Sequence, residues 1–305
     1  MWFDAWTPLR LLVRLVLMPL VLLALVPTLL SINRLGRRVR VGDISLEAFM
    51  IAGWSYWLCR VFGVRVRPQG AVAPGPVLMV ANHVSWLDIQ AMHSVTSMSF
   101  VGKAEIRNWP LLGFLARAGG TIFIERGNHA SSADVSSALV ARLNEGGRVA
   151  IFAEGGIRPG DHIKVFHARL FKAAVEADCM IQPVMIRYTR DGKRDPDMSF
   201  INSEHLVGNM LRILGRPTSD AELRFLEPYA PAGRPRRELA RQAQATGIEQ
   251  RLQVRARQAH GGIKRIPGAL PSECISHQTP RSLPPAPARP VRDGAAPQVR
   301  KAPGT

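Results

Sequence analysis

The sequence predicts an α/β domain, a mixed, largely parallel sheet flanked by helices, with membrane-binding helices ahead of it. Short apolar runs recur between residues 77 and 226, helical patterns separate them, and a long uncharged stretch precedes them all. Strands that alternate with helices favour parallel pairing, with helices covering both faces. A chain of 305 residues has room for one such domain and its appendages.

The N-terminal stretch comes first. Residues 15–32 are eighteen positions without a charge, close to the minimum for a bilayer span. Arg14 precedes the run, and Arg34, Arg37, Arg38 and Arg40 come after it. Its length, and the lack of a small-x-small cleavage pattern before the arginines, favour a retained anchor over a cleaved signal peptide. Pro19 and Pro27 interrupt helical hydrogen bonding, which leaves a re-entrant or steeply tilted anchor open. The basic cluster after the run places the downstream domain on the cytoplasmic side. Next, Leu46, Phe49, Met50, Gly53, Trp54, Trp57 and Leu58 recur at helical spacing. With Tyr56 beside two tryptophans, this helix fits the headgroup layer, and it equally fits packing on a domain core.

Residues 77–80, 121–124, 149–152, 181–186 and 223–226 read as buried strands. Ser131 or Ser132 can cap a helix bearing Val135, Leu139 and Leu143, which ends at Gly146-Gly147. Residues 166–177 and 204–214 read as further helices, and 236–258 as a basic, mostly polar one. Residues 261–305 are rich in proline, glycine and arginine and cannot bury enough surface to offset their ordering entropy, so they are expected to be disordered. Their seven Lys/Arg against two Asp/Glu suit either acidic lipid or plain solvation. The expected organisation is a membrane anchor and interfacial helix (1–65), an α/β domain (66–235), a basic helix (236–260) and a tail (261–305).

A formal charge of +17 attracts acidic lipid, phosphorylated substrates or nucleic acid without choosing among them. Cys59, Cys179 and Cys274 have neither pairing nor metal-ligand spacing, which argues against a disulfide framework or a zinc site.

The chemistry centres on Val77-Leu78-Met79-Val80-Ala81-Asn82-His83-Val84-Ser85-Trp86-Leu87-Asp88, where an apolar strand ends at Asn82-His83. On one helix, residues five apart diverge by about 140°. With His83 on a strand-to-helix turn, Asp88 in the first helical turn reaches back to it. A carboxylate on one ring nitrogen fixes the tautomer and leaves the other nitrogen to take a proton from a hydroxyl. Alone, such a pair is more often structural. Other strand ends carry polar residues as well: Arg126 after 121–124, Glu154-Gly155-Gly156 after 149–152, and a third run at Ile181-Gln182-Pro183-Val184. Ligands of open α/β sheets bind beyond the carboxyl ends of strands.

These blocks carry a resemblance. Residues 74–228 are similar to the 1-acylglycerol-3-phosphate acyltransferases of the glycerolipid acyltransferase superfamily. The Asn-His-(four residues)-Asp block is Asn82 to Asp88, and Gly-x-Ile-Phe-Ile-x-Arg is Gly120 to Arg126. Phe-Pro-Glu-Gly appears as Phe152-Ala153-Glu154-Gly155, hydrophobic-x-Pro-Val as Ile181 to Val184, and Val101-Gly102-Lys103-Ala104-Glu105 resembles the segment between the first two blocks. The resemblance implies a glycerolphosphate acyltransferase-like fold, located at the inner membrane and facing the cytoplasm. It also implies transfer of a fatty-acyl chain from acyl carrier protein or coenzyme A to the sn-2 hydroxyl of lysophosphatidic acid. His83 is then the general base and Asp88 orients it. Arg126 and Lys103 hold the acceptor phosphate, Glu154 and the Gly155 backbone position the glycerol, and Asn82 completes the substrate-contacting set. Neither an acyl-enzyme, a metal, a cofactor nor nucleic acid is called for. Arg126 as a surface ion pair with Glu125 or Asp134, and Glu154 as a helix-start carboxylate, remain the structural alternatives.

Two departures bear on the acceptor. Ala153 stands where the family has proline, with Gly156-Ile157 after it where hydroxylated residues are common, and Val165-Phe166-His167-Ala168 departs from the usual Pro-Phe. A lyso-ornithine lipid or another lysolipid is therefore the rival acceptor. A basic membrane adaptor without catalysis is the rival function, though it leaves the ordered blocks unexplained.

Overall fold

The computed structural model describes residues 4–109, 112–124, 129–159, 162–201 and 204–260. The expected tail at 261–305 lies outside them.

The described chain begins with helix α1 (Thr7–Ser31), which runs unbroken through Pro19 and Pro27. Its buried residues Thr7, Arg14, Val21, Leu25, Thr28 and Ser31 form one stripe, while leucines such as Leu12, Leu20, Leu23 and Leu30 face outward. Among the described residues it is the one helix long and apolar enough to cross a membrane. At 25 residues it is about 37 Å long, against a hydrocarbon core of about 30 Å. The short helix α2 (Arg34–Arg38) is capped by Asn33, whose side chain accepts from Gly36 N. A small antiparallel pair, β1 (Arg40–Val41) and β2 (Ile44–Ser45), leads into α3 (Leu46–Val61), capped by Ser45. One face of α3 buries Ser55, Leu58, Cys59 and Val61, and the other exposes Phe49, Tyr56 and Trp57. Arg10 and Arg14 of α1 donate to main-chain carbonyls of Ile213, Leu214, Gly215 and Arg216, so the helix is tied to the domain by its cations.

The domain then runs β3 (Val64–Gln69), β4 (Val77–Ala81), α4 (Leu87–His93), β5 (Ser99–Lys103) and α5 (Leu112–Ala118). It continues through β6 (Ile122–Ile124), α6 (His129–Asn144), β7 (Arg148–Phe152), α7 (Lys172–Glu176) and β8 (Met180–Arg190). The last elements are β9 (Lys193–Arg194), α8 (Leu206–Gly215), β10 (Ser219–Phe225) and α9 (Arg236–His260). The main sheet has the order β3-β10-β8-β4-β7-β5-β6, with β9 paired to β8. From β8 to β6 all pairings are parallel; β10 is antiparallel to β8 and parallel to β3. The mixed, largely parallel sheet is as expected.

Alternation along β4 sorts the core into two layers. Val77, Met79 and Ala81 pack with residues of α3, α4 and α8 on one face. Leu78 and Val80 pack with residues of α6, α7 and α9 on the other. All five β4 residues are buried, which makes this strand the rigid centre from which the site projects. Residues 166–177 do not form one helix. The His167 N–H is held by Ala153 O, and a 3₁₀ turn (Ala168–Phe171) precedes α7, which lets Phe166 and Phe171 both enter the core.

Candidate active site

Where β4 leaves the sheet, Asn82 replaces the main-chain ladder with its own amide. Its Nδ2 donates to Ile186 O at 2.9 Å and its Oδ1 accepts from Ile186 N at 2.8 Å. Asn82 is buried, so its role in the geometry is to fix the exit angle of the chain. His83 comes immediately after. Its main chain is held on both sides: its N–H donates to Glu154 Oε2 at 3.0 Å, and its carbonyl accepts from Arg158 N at 2.8 Å.

The turn through Val84, Ser85 and Trp86 brings Asp88, in the first turn of α4, back toward the imidazole. His83 Nδ1 lies 2.8 Å from Asp88 Oδ2. The same oxygen accepts from Val84 N at 2.7 Å and Ser85 N at 3.0 Å, and Oδ1 accepts from Tyr188 Oη at 2.8 Å. The Asp88 side chain is fully buried, and the His83 side chain is 13% exposed. A carboxylate taken out of water costs several kcal/mol unless donors replace the lost hydration. Four donors do so here. Because the carboxylate only accepts, Nδ1 carries the proton and Nε2 presents its lone pair; no described residue hydrogen-bonds Nε2. The ring is clamped by Phe152, stacked at 3.7 Å between centroids and 10° between planes, with Phe100 stacked behind it at 5.7 Å. His83 can therefore remove a proton from a hydroxyl that approaches Nε2.

Glu154 is buried, and its second oxygen accepts from Lys164 N at 2.9 Å. It joins the His83 turn to the loop after β7. Gly155 adopts φ +71°, and a Cβ there would lie 2.8 Å from His167 Nε2, so the turn demands glycine. Its N–H donates to Phe152 O. Lys103 ends β5 on the same carboxyl edge, exposed, with Nζ 3.8 Å from Glu105 Oε1. Arg126 lies outside the described residues. The structure thus brings His83, Asp88 and Glu154 into one hydrogen-bonded unit, with Asn82 anchoring the chain just ahead of it to Ile186. Sequence reasoning missed Phe152 as the stacking partner and Tyr188 as a donor. Tyr188 could have been found as the lone phenol in the inward-facing row of a buried strand, since buried tyrosines need a partner. Among the described residues, no three His, Cys, Asp or Glu side chains gather as a metal site.

A cavity of about 650 Å³ lies between α1 and α3, lined chiefly by apolar residues including Leu17, Val21, Phe49, Gly53 and Trp54. It reaches Val61, and the adjacent Phe62 packs edge-on against Trp86 at 4.9 Å, just ahead of α4.

Comparison with known proteins decides the family. The model described as Acyltransferase matches residues 63–187. A lyso-ornithine lipid O-acyltransferase of Pseudomonas aeruginosa is 38% identical over 211 residues, covering 69% of this chain and 81% of that protein. The chain belongs to the lysophospholipid acyltransferase family. A Brucella abortus lyso-ornithine lipid O-acyltransferase is 34% identical to this acyltransferase over 60% of the chain and 74% of the relative. A 1-acyl-sn-glycerol-3-phosphate acyltransferase of Neisseria gonorrhoeae is 37% identical over 45% of the chain and 54% of the relative. The acyltransferase also shares its fold with the 1-acyl-sn-glycerophosphate acyltransferase of Thermotoga maritima: the TM-score is 0.58 at 17% identity, over 80% of this chain and 95% of that one.

Proposed function

We propose that this acyltransferase moves a fatty-acyl chain from a thioester donor, acyl carrier protein or coenzyme A, to the free hydroxyl of a lyso-ornithine lipid. The observation that carries the chemistry is the buried Asp88 carboxylate 2.8 Å from His83 Nδ1, at the end of a central parallel strand. His83 Nε2 takes the hydroxyl proton as the acceptor oxygen attacks the thioester carbonyl. The tetrahedral oxyanion collapses, the C–S bond breaks, and the departing thiolate takes the proton back from the imidazolium. Asp88 holds the tautomer and balances the transient positive charge. Asn82 and Glu154 act by holding the His83 turn in place, and Arg126 and Lys103 supply the positive charge that binds the acceptor's anionic group.

The acceptor is chosen on extent of likeness. The Pseudomonas and Brucella lyso-ornithine relatives match 69% and 60% of the chain, against 45% for the Neisseria lysophosphatidic acid relative. The Ala153 and Gly156-Ile157 departures fall in the block that faces the acceptor. Lysophosphatidic acid is the second reading, favoured by the four blocks and by the 37% identity of the Neisseria protein. The cavity between α1 and α3 accommodates a lipid acyl chain. The cationic cluster after α1 supports attachment to the inner membrane with the α/β domain on the cytoplasmic face.

The test is mass spectrometry of products from purified protein in vesicles, given lyso-ornithine lipid, lysophosphatidic acid and lysophosphatidylethanolamine with each donor. Acylated ornithine lipid is expected to dominate. Dominant phosphatidic acid would move the reading to the second acceptor, and no acylation of any lysolipid would overturn both.

A further inference from the structure

The inward row of β8 runs Gln182, Val184, Ile186 and Tyr188, all buried, and Tyr188 is among the largest fully buried side chains. Three of these positions have ordinary roles. Val184 and Ile186 fill the core, and Gln182 satisfies main-chain groups of Ala71, Ala73 and Leu226. Tyr188 instead reaches the site: its Oη donates to Asp88 Oδ1 at 2.8 Å, the oxygen that His83 does not use.

We propose that Tyr188 is a positioning residue for acyl transfer, which pins the Asp88 carboxylate so that Oδ2 meets His83 and tempers the negative charge that the imidazole senses. The inference rests on the reading of His83 as general base. With His83, Val84 and Ser85 all on Oδ2, the Tyr188 hydroxyl is the one described donor on Oδ1. Without it, Oδ1 is a buried acceptor left unsatisfied, and the carboxylate keeps donors on Oδ2 alone, so more of its charge bears on His83. The phenol keeps its proton: burial first, then the Asp88 charge, holds it well above its ordinary value of 10. The other titratable groups around the pair are His83 from the turn after β4 and Cys59 from α3, whose thiol burial and Asp88 push up to about 12. From β10, the residue in register with Tyr188 is the uncharged Ala221.

Tyr188→Phe keeps the ring and removes the donor. The expected result is a kcat about 10- to 100-fold lower, equivalent to losing a hydrogen bond to a charged group. The KM for lysolipid and donor should stay within about twofold, because the residue does not touch substrate. The acid limb of the kcat/KM profile should move to higher pH, since an untempered carboxylate favours the imidazolium. In an Asp88→Asn background the same substitution should add little, since a residue acting through the Asp88 charge has nothing left to act on. Incorporating 3-fluorotyrosine at position 188, which keeps the bond and the fold and strengthens the donor, should move the limb to lower pH. An unchanged rate and profile, or an equal further loss in the Asp88→Asn background, would overturn the proposal. His83→Ala assayed in parallel separates the two failures: an active His83→Ala sinks the base, whereas an inactive one beside an unaffected Tyr188→Phe sinks only the tyrosine.

Discussion

Asp88→Asn removes the charge behind His83 and preserves its shape, and the surrounding donors dictate how the amide must sit. Val84 N at 2.7 Å and Ser85 N at 3.0 Å both point at the oxygen facing His83, and neither can face an NH₂ group. The asparagine oxygen is therefore held on the His83 side, and its NH₂ turns to Tyr188, whose hydroxyl rotates to accept. His83 keeps its Nδ1–H tautomer, so what is lost is charge. A hydrogen bond to a charged group contributes about 1.5–3 kcal/mol. Two unit charges 4 Å apart at an effective dielectric of 20 attract by about 4 kcal/mol, which serves as the upper bound. The expected fall in kcat is thus about ten- to a thousandfold. That is smaller than the loss of about 10⁴ seen where the same substitution traps the wrong tautomer. The assay is steady-state turnover with saturating thioester and lysolipid, alongside a thermal melt that confirms folding. A rate within about threefold of wild type would refute the electrostatic role, and a loss near 10⁴ would refute the claim that two amides lock the tautomer.

Glu154→Gln sets an NH₂ against the N–H of His83 or Lys164, so it should lose about 1–3 kcal/mol of stability, read from urea midpoints, and an unchanged midpoint would deny that Glu154 ties the two loops. At Gly53 a new Cβ meets no atom within 4 Å, so Gly53→Leu should fold, fill the cavity and shift products toward shorter chains; an unchanged chain profile would remove the acyl chain from that cavity. His93 is buried with Nδ1 unpartnered among the described residues, and burial lowers it from 6.5 to about 4. Between those values the unfolded chain binds a proton that the folded protein refuses. Stability is therefore full above pH 6.5 and falls toward pH 4, by up to roughly 3 kcal/mol. His93→Phe should flatten that decline in urea melts at pH 7 and 4.5, and an equal decline in the variant would place its origin elsewhere.

The sheet was legible because its central strands are continuous apolar runs ended by polar residues, the pattern of strands buried on both faces. β3 escaped because Val64-Arg65-Val66-Arg67-Pro68-Gln69 is an exposed edge, where arginines and a proline dilute the apolar signal. β5 escaped because Ser99 and Gly102 break up a run of five. The pairing of His83 with Asp88 came from placing the histidine on a turn, and Asn82 and Glu154 were singled out by their place at strand ends. What they do there was not legible. Asn82 mimics a strand pair with Ile186, and both Glu154 oxygens take main-chain donors 10 and 71 residues away in sequence. Such partners are set by sheet order, which local periodicity does not carry. The same holds for Tyr188, 100 residues from Asp88.

The central claim is that His83 Nε2 takes the acceptor's proton. The direct measurement is turnover of purified His83→Ala in lysolipid-containing vesicles with labelled acyl donor, with folding and vesicle binding checked on the same sample. Loss of general-base catalysis should lower turnover by about 10²–10⁴-fold while fold and membrane binding persist. A folded, membrane-bound His83→Ala that acylates lysolipid at a near-normal rate would contradict it.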